Sequence, residues 1–381
     1  MVSVDWPKII AGGGRKMKRA KSILIVSAIA LTIGAISQGA NINVPADYTT
    51  IQGAIDAAGA GDTINVASGN YNENLLVNTA DLHFAGANAG IPGSGERSTE
   101  SDIIGYVKIM SNGISFDGFE ITDGAPVPAG ENAGIYIVGG TSGQTIQCNL
   151  FTRTGAAPSG GDSFRALINE FGGVSSLQVK LNKFTGWHTG VYLQNADAQV
   201  TSNVMAGNYV GMSIDGAVSV TVTYNSFIDN GLEGLGVGPP ALTSLTLEHN
   251  CFSGNLTAVA NWQSNEISAA NNCWGDASGP YNSTSNPDGH GDAVSNNVDF
   301  VPWLAACCGD PLHEPPVGDL HTDCHVDFYD FAVFASAWLT SEGDNNWSPA
   351  CNLEAGDNVV NALDLAILAE HWLECTASDC I

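Results

Sequence analysis

The sequence predicts a mainly β solenoid: coils of parallel strands stacked along one axis, opened by a short helix and followed by a small α-helical module. Three observations predict it. First, six boxes recur: Cys148-Asn149-Leu150-Phe151, Leu181-Asn182-Lys183-Phe184, Ser202-Asn203-Val204-Met205, Tyr224-Asn225-Ser226-Phe227, His249-Asn250-Cys251-Phe252 and Asn271-Asn272-Cys273-Trp274. Their asparagines lie 33, 21, 22, 25 and 22 residues apart. A period in the low twenties marks one supersecondary unit per repeat, able to bury its apolar face only against its neighbours. With coils stacked at about 4.8 Å, each Asn amide reaches the corner backbone and the next Asn. Second, the strands that follow the boxes align Ile135, Val191, Met212 and Leu235 inward, with Ile137, Leu193, Ile214 and Val237 two places on. Tyr136, Tyr192 and Ser213 then point outward together. Third, 44% hydrophobic content and 45 glycines in 381 residues suit a sizeable core interrupted by tight turns, and argue against disorder.

Residues 1–40 read as a secretory signal: Lys16, Lys18, Arg19 and Lys21, an apolar run from Ile23 to Ile36, then small residues at Ser37, Gly39 and Ala40. Met17 is an alternative start. The apolar run is short for a membrane span, and no later stretch reaches about 18 uninterrupted apolar residues. The expected mature protein is exported and crosses no membrane. Removing residues 1–40 leaves 6 basic against 38 acidic residues, a net charge of −32, and no Lys or Arg follows Lys183. Such a surface repels nucleic acid and anionic lipid and favours divalent cations. Nine cysteines behind a signal permit disulfides. Cys251 and Cys273 occupy the same box position in adjacent coils, at a spacing that suits either a staple or two stacked thiols.

Tyr48-Thr49-Thr50 precedes Ile51, Ala54, Ile55 and Ala58, the spacing of a short amphipathic helix with a hydroxyl cap. It is expected to cover the open end of the solenoid. Gly61-Asp62 and Gly69-Asn70-Tyr71 then turn the chain into strands around Thr63–Val66 and Leu75–Val77. The stretch from Val44 through Asp47, Thr50-Ile51-Gln52 and Ala54-Ile55-Asp56 to Gly61-Asp62-Thr63 resembles the opening of secreted right-handed parallel β-helix proteins of the pectate-lyase-like superfamily. Asn271-Asn272-Cys273-Trp274-Gly275, Ser278-Gly279-Pro280 and Val298-Asp299-Phe300-Val301-Pro302-Trp303-Leu304 resemble the closing coil of such proteins. The β-helix domain is therefore placed at 41–304. The gap of 33 between Asn149 and Asn182 exceeds one coil, so Ala156–Ser163 is expected to loop out.

A Pro-rich linker spans 305–317, a duplicated module 318–374 and a tail 375–381. Within the module the chain repeats at a spacing of 34: Asp323 and Asp357, Val326 and Val360, Asp330 and Asp364, Trp338 and Trp372, Leu339 and Leu373. An oxygen-rich loop leading into an apolar helix is what a hard cation needs. Asp319, Asp323, Asp327 and Asp330 fall at positions 1, 5, 9 and 12 of the first loop, with Val326 as the apolar plug. The pair resembles a type I dockerin-like module, which implies calcium and a cohesin-like scaffold partner. His321 and Cys324 depart from that pattern. The second loop has Leu353 and Ala355 in strict register; a one-residue insertion instead supplies Asn352 and Glu354 beside Asp357, Asn361 and Asp364.

Enzymes of the resembled superfamily work on the outward face of one parallel sheet. A lyase needs a base near a calcium-bound uronate, and a glycosidase needs two carboxylates. Basic residues on the solenoid are confined to Arg97, Lys108, Arg153, Arg165, Lys180 and Lys183. Arg165, on a strand expected between those of Tyr136 and Tyr192, forms with Asp162 and Glu170 the candidate catalytic cluster; Tyr136 and Tyr192 are the substrate-binding candidates. Gly289-His290-Gly291 matches one short polygalacturonase motif without its companions, and reads as a cap loop. Asp276, Asp288 and Asp292 read as turn residues, and His188 beside Trp187 as a corner aromatic pair. The expected function is a secreted, scaffold- or surface-attached protein that binds or processes polysaccharide, as a polysaccharide lyase or glycoside hydrolase if it is an enzyme. A non-catalytic adhesion or display solenoid is the alternative.

Overall fold

Each coil of the chain passes through three strands, and each strand pairs in parallel with its counterpart one coil later. The computed structural model describes residues 39–122, 125–126, 132–154, 164–170, 172–216, 219–240, 242–305, 317–320, 326, 328–344, 346–354 and 357–373. Residues 1–38 of the proposed signal and Ala156–Ser163 therefore lie outside the described residues. The first sheet runs from Asn41–Val44 to Ser244–Glu248, the second from Gly69–Tyr71 to Cys251–Ser253, and the third from Leu75–Val77 to Thr257–Asn261. One short strand, Ala125–Pro126, adds antiparallel to Asn132–Ile137 of the third sheet. This is a parallel β-helix, as the repeat predicts.

The six box asparagines form one column at the corner between the first and second sheets. Asn182 Oδ1 accepts from the Asn149 amide N and Nδ2, both at 3.0 Å, and Asn203, Asn225, Asn250 and Asn272 repeat the arrangement at 2.8–3.0 Å. The residue before each Asn turns the corner in the left-handed region, at φ 55–58° for Cys148, Leu181, Ser202, Tyr224, His249 and Asn271. That conformation costs an L-residue about 1–2 kcal/mol. The buried Asn amide offsets the cost by satisfying the corner donors on both sides.

A second column, which the sequence reading did not anticipate, stands at the next corner. Asn208, Asn230 and Asn255 link in the same way at 2.8–3.2 Å. The column ends on Asp292, whose Oδ2 accepts from the Asn255 amide N and Nδ2 at 2.8 Å. Gly207, Asp229 and Gly254 make the preceding left-handed turns.

Between these corners the box aromatics fill the core. Phe151 stacks on Phe184 at 4.6 Å, Phe227 on Phe252 at 4.8 Å, and Phe252 on Trp274 at 5.1 Å, with Met205 in the same row. All are fully buried or nearly so, each side chain contributing about 1.5–3 kcal/mol. Ile135, Val191, Met212 and Leu235 face the same core, as do Ile137, Leu193, Ile214 and Val237.

Helix α1, Ile51–Ala57, buries Ile51, Ala54 and Ile55 in that core. Thr50 Oγ1 caps it through the Gly53 amide, and the Glu73 carboxylate accepts from the Ile51 and Gln52 amides at 2.9 Å. Cys251 and Cys273 are ladder neighbours. They are not joined: Cys251 is a buried thiol, whereas Cys273 is disulfide-bonded and so pairs with another cysteine.

Helices α2, Phe328–Ser336, and α3, Ala362–Glu370, follow, with a core of their own around Val326, Phe334, Val360 and Leu368. The duplication is structural as well as sequential. Leu320 N donates to Asp330 Oδ1 at 2.6 Å, and Glu354 N, thirty-four residues on, to Asp364 Oδ1 at 2.8 Å. From Leu320 to Asp330 and from Glu354 to Asp364 the two units therefore keep the 34-residue spacing. Each unit also completes the other: Leu339 N donates to Val360 O and Leu373 N to Val326 O, with both leucines left-handed.

Candidate functional site on the outer face of the third sheet

The register of the third sheet sets Lys108, Tyr136, Ile168, Tyr192, Ser213 and Gly236 side by side on its outer face. The strand Arg165–Asn169 lies between those of Tyr136 and Tyr192. Arg165 Cζ sits 4.8 Å from the Tyr192 ring centre, and Lys108 Nζ 5.4 Å from that of Tyr136. Tyr136 is only 4% exposed, packed with Tyr106, Ala133 and Ile168. Its ring offers little surface to a ligand, whereas Tyr192 is half-buried. Glu170 stands five residues beyond Arg165, about 16 Å along the strand direction, and its Oε2 accepts from Gly139 N at 2.9 Å. Arg165 and Glu170 are thus not gathered at one point, and Asp162 lies outside the described residues.

Later coils carry a different constellation on the same face. The Tyr192 hydroxyl donates to Asp215 Oδ2, and Asp215 is in register with Gly238. A methyl group on Gly238 would fall 1.9 Å from Asp215 Oδ1, and one on Gly236 would fall 2.2 Å from Glu233 Oε2. Each carboxylate therefore points one oxygen into the space that a side chain on the glycine would fill. Glu233 Oε1 accepts from Trp262 Nε1 at 3.1 Å. Glu233 is 7% exposed while Trp262, above it, is 68% exposed. Burial pushes the Glu233 carboxyl above the usual carboxylate range, against the opposing hydrogen bond from the indole. Glu233 and Trp262 escape sequence reading because 29 residues separate them, more than one coil. The signal was the run Glu233-Gly234-Leu235-Gly236-Val237-Gly238, where glycine occupies outward positions and one acid remains.

The remaining candidates have local roles. In the cap loop Ser278 Oγ accepts from His290 N and donates to Asp276, whose carboxyl is held below its usual range by the Ser278 hydroxyl and amide. Trp187 is fully buried, and the His188 ring packs 5.2 Å from that of Tyr209. In the C-terminal module Asp330 and Asp364 are fully buried. Asp364 Oδ2 accepts from Asn361 N, and Asp357 accepts from Val359 N and Asn361 Nδ2. Asn352 donates to Asp357 O, yet its Oδ1 is buried with no hydrogen-bond partner among the described residues. Asp319 is half-buried, and Asp323 and Asp327 lie outside the described residues. Among the described residues no three His, Cys, Asp or Glu side chains converge on one point.

With this geometry in hand, comparison with known families finds that residues 105–274 match the model described as a right handed beta helix region. The match and the three parallel sheets define a right-handed parallel β-helix. No curated protein matches the chain significantly. Among the described residues no helix is long and apolar enough to cross a membrane.

Proposed function

We propose that this is an exported glycan-binding β-helix, tethered through a dockerin-like, calcium-binding C-terminal module. The observation that carries the reading is Trp262: a large, two-thirds exposed aromatic held by Glu233 on a face floored with glycine. An indole fixed at its polar edge offers an apolar face to a sugar ring, while Asp215, Glu233 and Ser213 offer acceptors to its hydroxyls. The acidic surface favours neutral over uronic polymers, since an anionic chain would meet like charge. On this reading α1 closes the first coil of the solenoid.

Calcium is supported by the donor set. Asn352, Asp357, Asn361 and Asp364 are hard oxygen ligands, and the buried Asn352 Oδ1 lacks a donor that a cation would replace. Asp319, Asp323, Asp327 and Asp330 would serve the first loop. When bound, the ion would draw the loop carboxylates together and order the two helices, and a cohesin-like scaffold would dock on them.

The test is retention on soluble xylan, mannan, β-glucan and galactan in affinity electrophoresis. Wild-type protein is retarded by at least one, and Trp262→Ala weakens the retardation about tenfold. Absence of retardation on every polymer would overturn glycan binding and favour display or adhesion.

A further inference from the structure

We propose that Glu233 and Asp215 form the acid–base pair of a glycoside hydrolase, with Glu233 as proton donor to the glycosidic oxygen and Asp215 as base for the attacking water. The inference rests on the glycan-binding reading and assigns chemistry to that surface.

Three features of the pair support it. The two carboxylates share one face of the third sheet, at a spacing that admits one bond between them. Gly236 and Gly238 stand two residues apart on one face, about 6.6 Å, so the carboxylate oxygens lying over them are within about 11 Å of each other. Glycoside cleavage uses separations of about 5–9.5 Å. The two environments also differ in the required sense. Glu233 is sequestered beneath an indole, with Oε1 accepting from Trp262 Nε1 and the residue only 7% exposed. Asp215 is more open, half-buried where Glu233 is buried, and receives the Tyr192 hydroxyl. Burial pushing the Glu233 carboxyl up agrees with a group that keeps its proton until the leaving oxygen needs it. Finally, Trp262 covers the acid, so a ring stacked on the indole sits beside it.

The step balances with water as the co-reactant. Glu233 transfers its proton to the glycosidic oxygen as the bond from that oxygen to the anomeric carbon breaks. Water attacks the anomeric carbon from the other side, and its proton passes to Asp215. The products are two shorter sugars, one with a new reducing end, and the proton returns from Asp215 to Glu233 through solvent.

The experiment uses the full chain and whichever of the four polysaccharides retards it, scored for reducing ends and for retardation in parallel. Expected are reducing ends from wild type, and in both Glu233→Gln and Asp215→Asn a loss of at least about 100-fold in reducing ends that exceeds any loss of retardation in the same variant. Unaltered circular dichroism shows that the variants fold. Retardation without reducing ends from wild type would overturn the acid–base assignment while leaving glycan binding in place. Activity surviving in both variants would overturn it equally. A wild type that no polymer retards would remove both readings together.

Discussion

Asn225 carries the logic of the corner in one side chain. Its Oδ1 accepts from Asn203 N and Nδ2, and its Nδ2 donates to Val200 O, Thr223 O and Asn250 Oδ1, all within 3.0 Å. Replacing it with alanine strands the Asn203 amide in the interior and removes support from the left-handed Tyr224. The expected cost is about 3 kcal/mol, read from urea unfolding; a loss below about 1 kcal/mol would show that water replaces the amide. Glu233 gives a second prediction. Its carboxyl titrates above the unfolded value because of burial, so the folded state binds the extra proton and stability falls as pH rises from about 4.5 through the folded pKa. Glu233→Gln should therefore match wild type in thermal midpoint near pH 4 and exceed it near pH 7. An equal gap at both pH values would contradict the sign. The first Asn column was legible because its boxes share neighbouring residues. Asn208, Asn230 and Asn255 have similar spacing but different flanks, and Asp292, the end of their column, reads in sequence only as a turn residue.

In the third sheet Gly190, Gly211 and Gly234 line up with Ala166 and Ala258 across successive strands. A methyl group on Gly211 would meet Gly234 O at 2.6 Å and Phe227 Cδ1 at 2.9 Å. Gly211→Ala should cost about 2 kcal/mol or more through overpacking, measurable as a lower urea midpoint. The strand period was readable from Ile135, Val191, Met212 and Leu235. The extra inward position before each was not, because small residues carry no hydropathy signal and two consecutive inward positions break the alternation. In the C-terminal module the 34-residue repeat gave both helices. Sequence spacing did not reveal that Leu339 and Leu373 bond into each other's units, so that neither half closes alone. Chelation by EDTA is expected to lower the calorimetric transition of this module and leave that of the β-helix unmoved; an unchanged trace would remove calcium from the proposal.

Across the whole molecule, the formal charge is −27, so repulsion among carboxylates acts against the folded chain. Screening that repulsion should raise the thermal midpoint by a few degrees between about 20 and 300 mM NaCl. A flat response would mean that the carboxylates are already compensated locally. The sequence by itself determined the coil, its period and which residues fill the core, because stacking forces each repeat to meet the same physical demand and so to keep similar side chains in register. Only the tertiary structure decided which polar residues share the outer face. Glu233, Asp215, Tyr192 and Trp262 come from four successive coils, and the winding that brings them together is set by core packing, not by any pattern among the four.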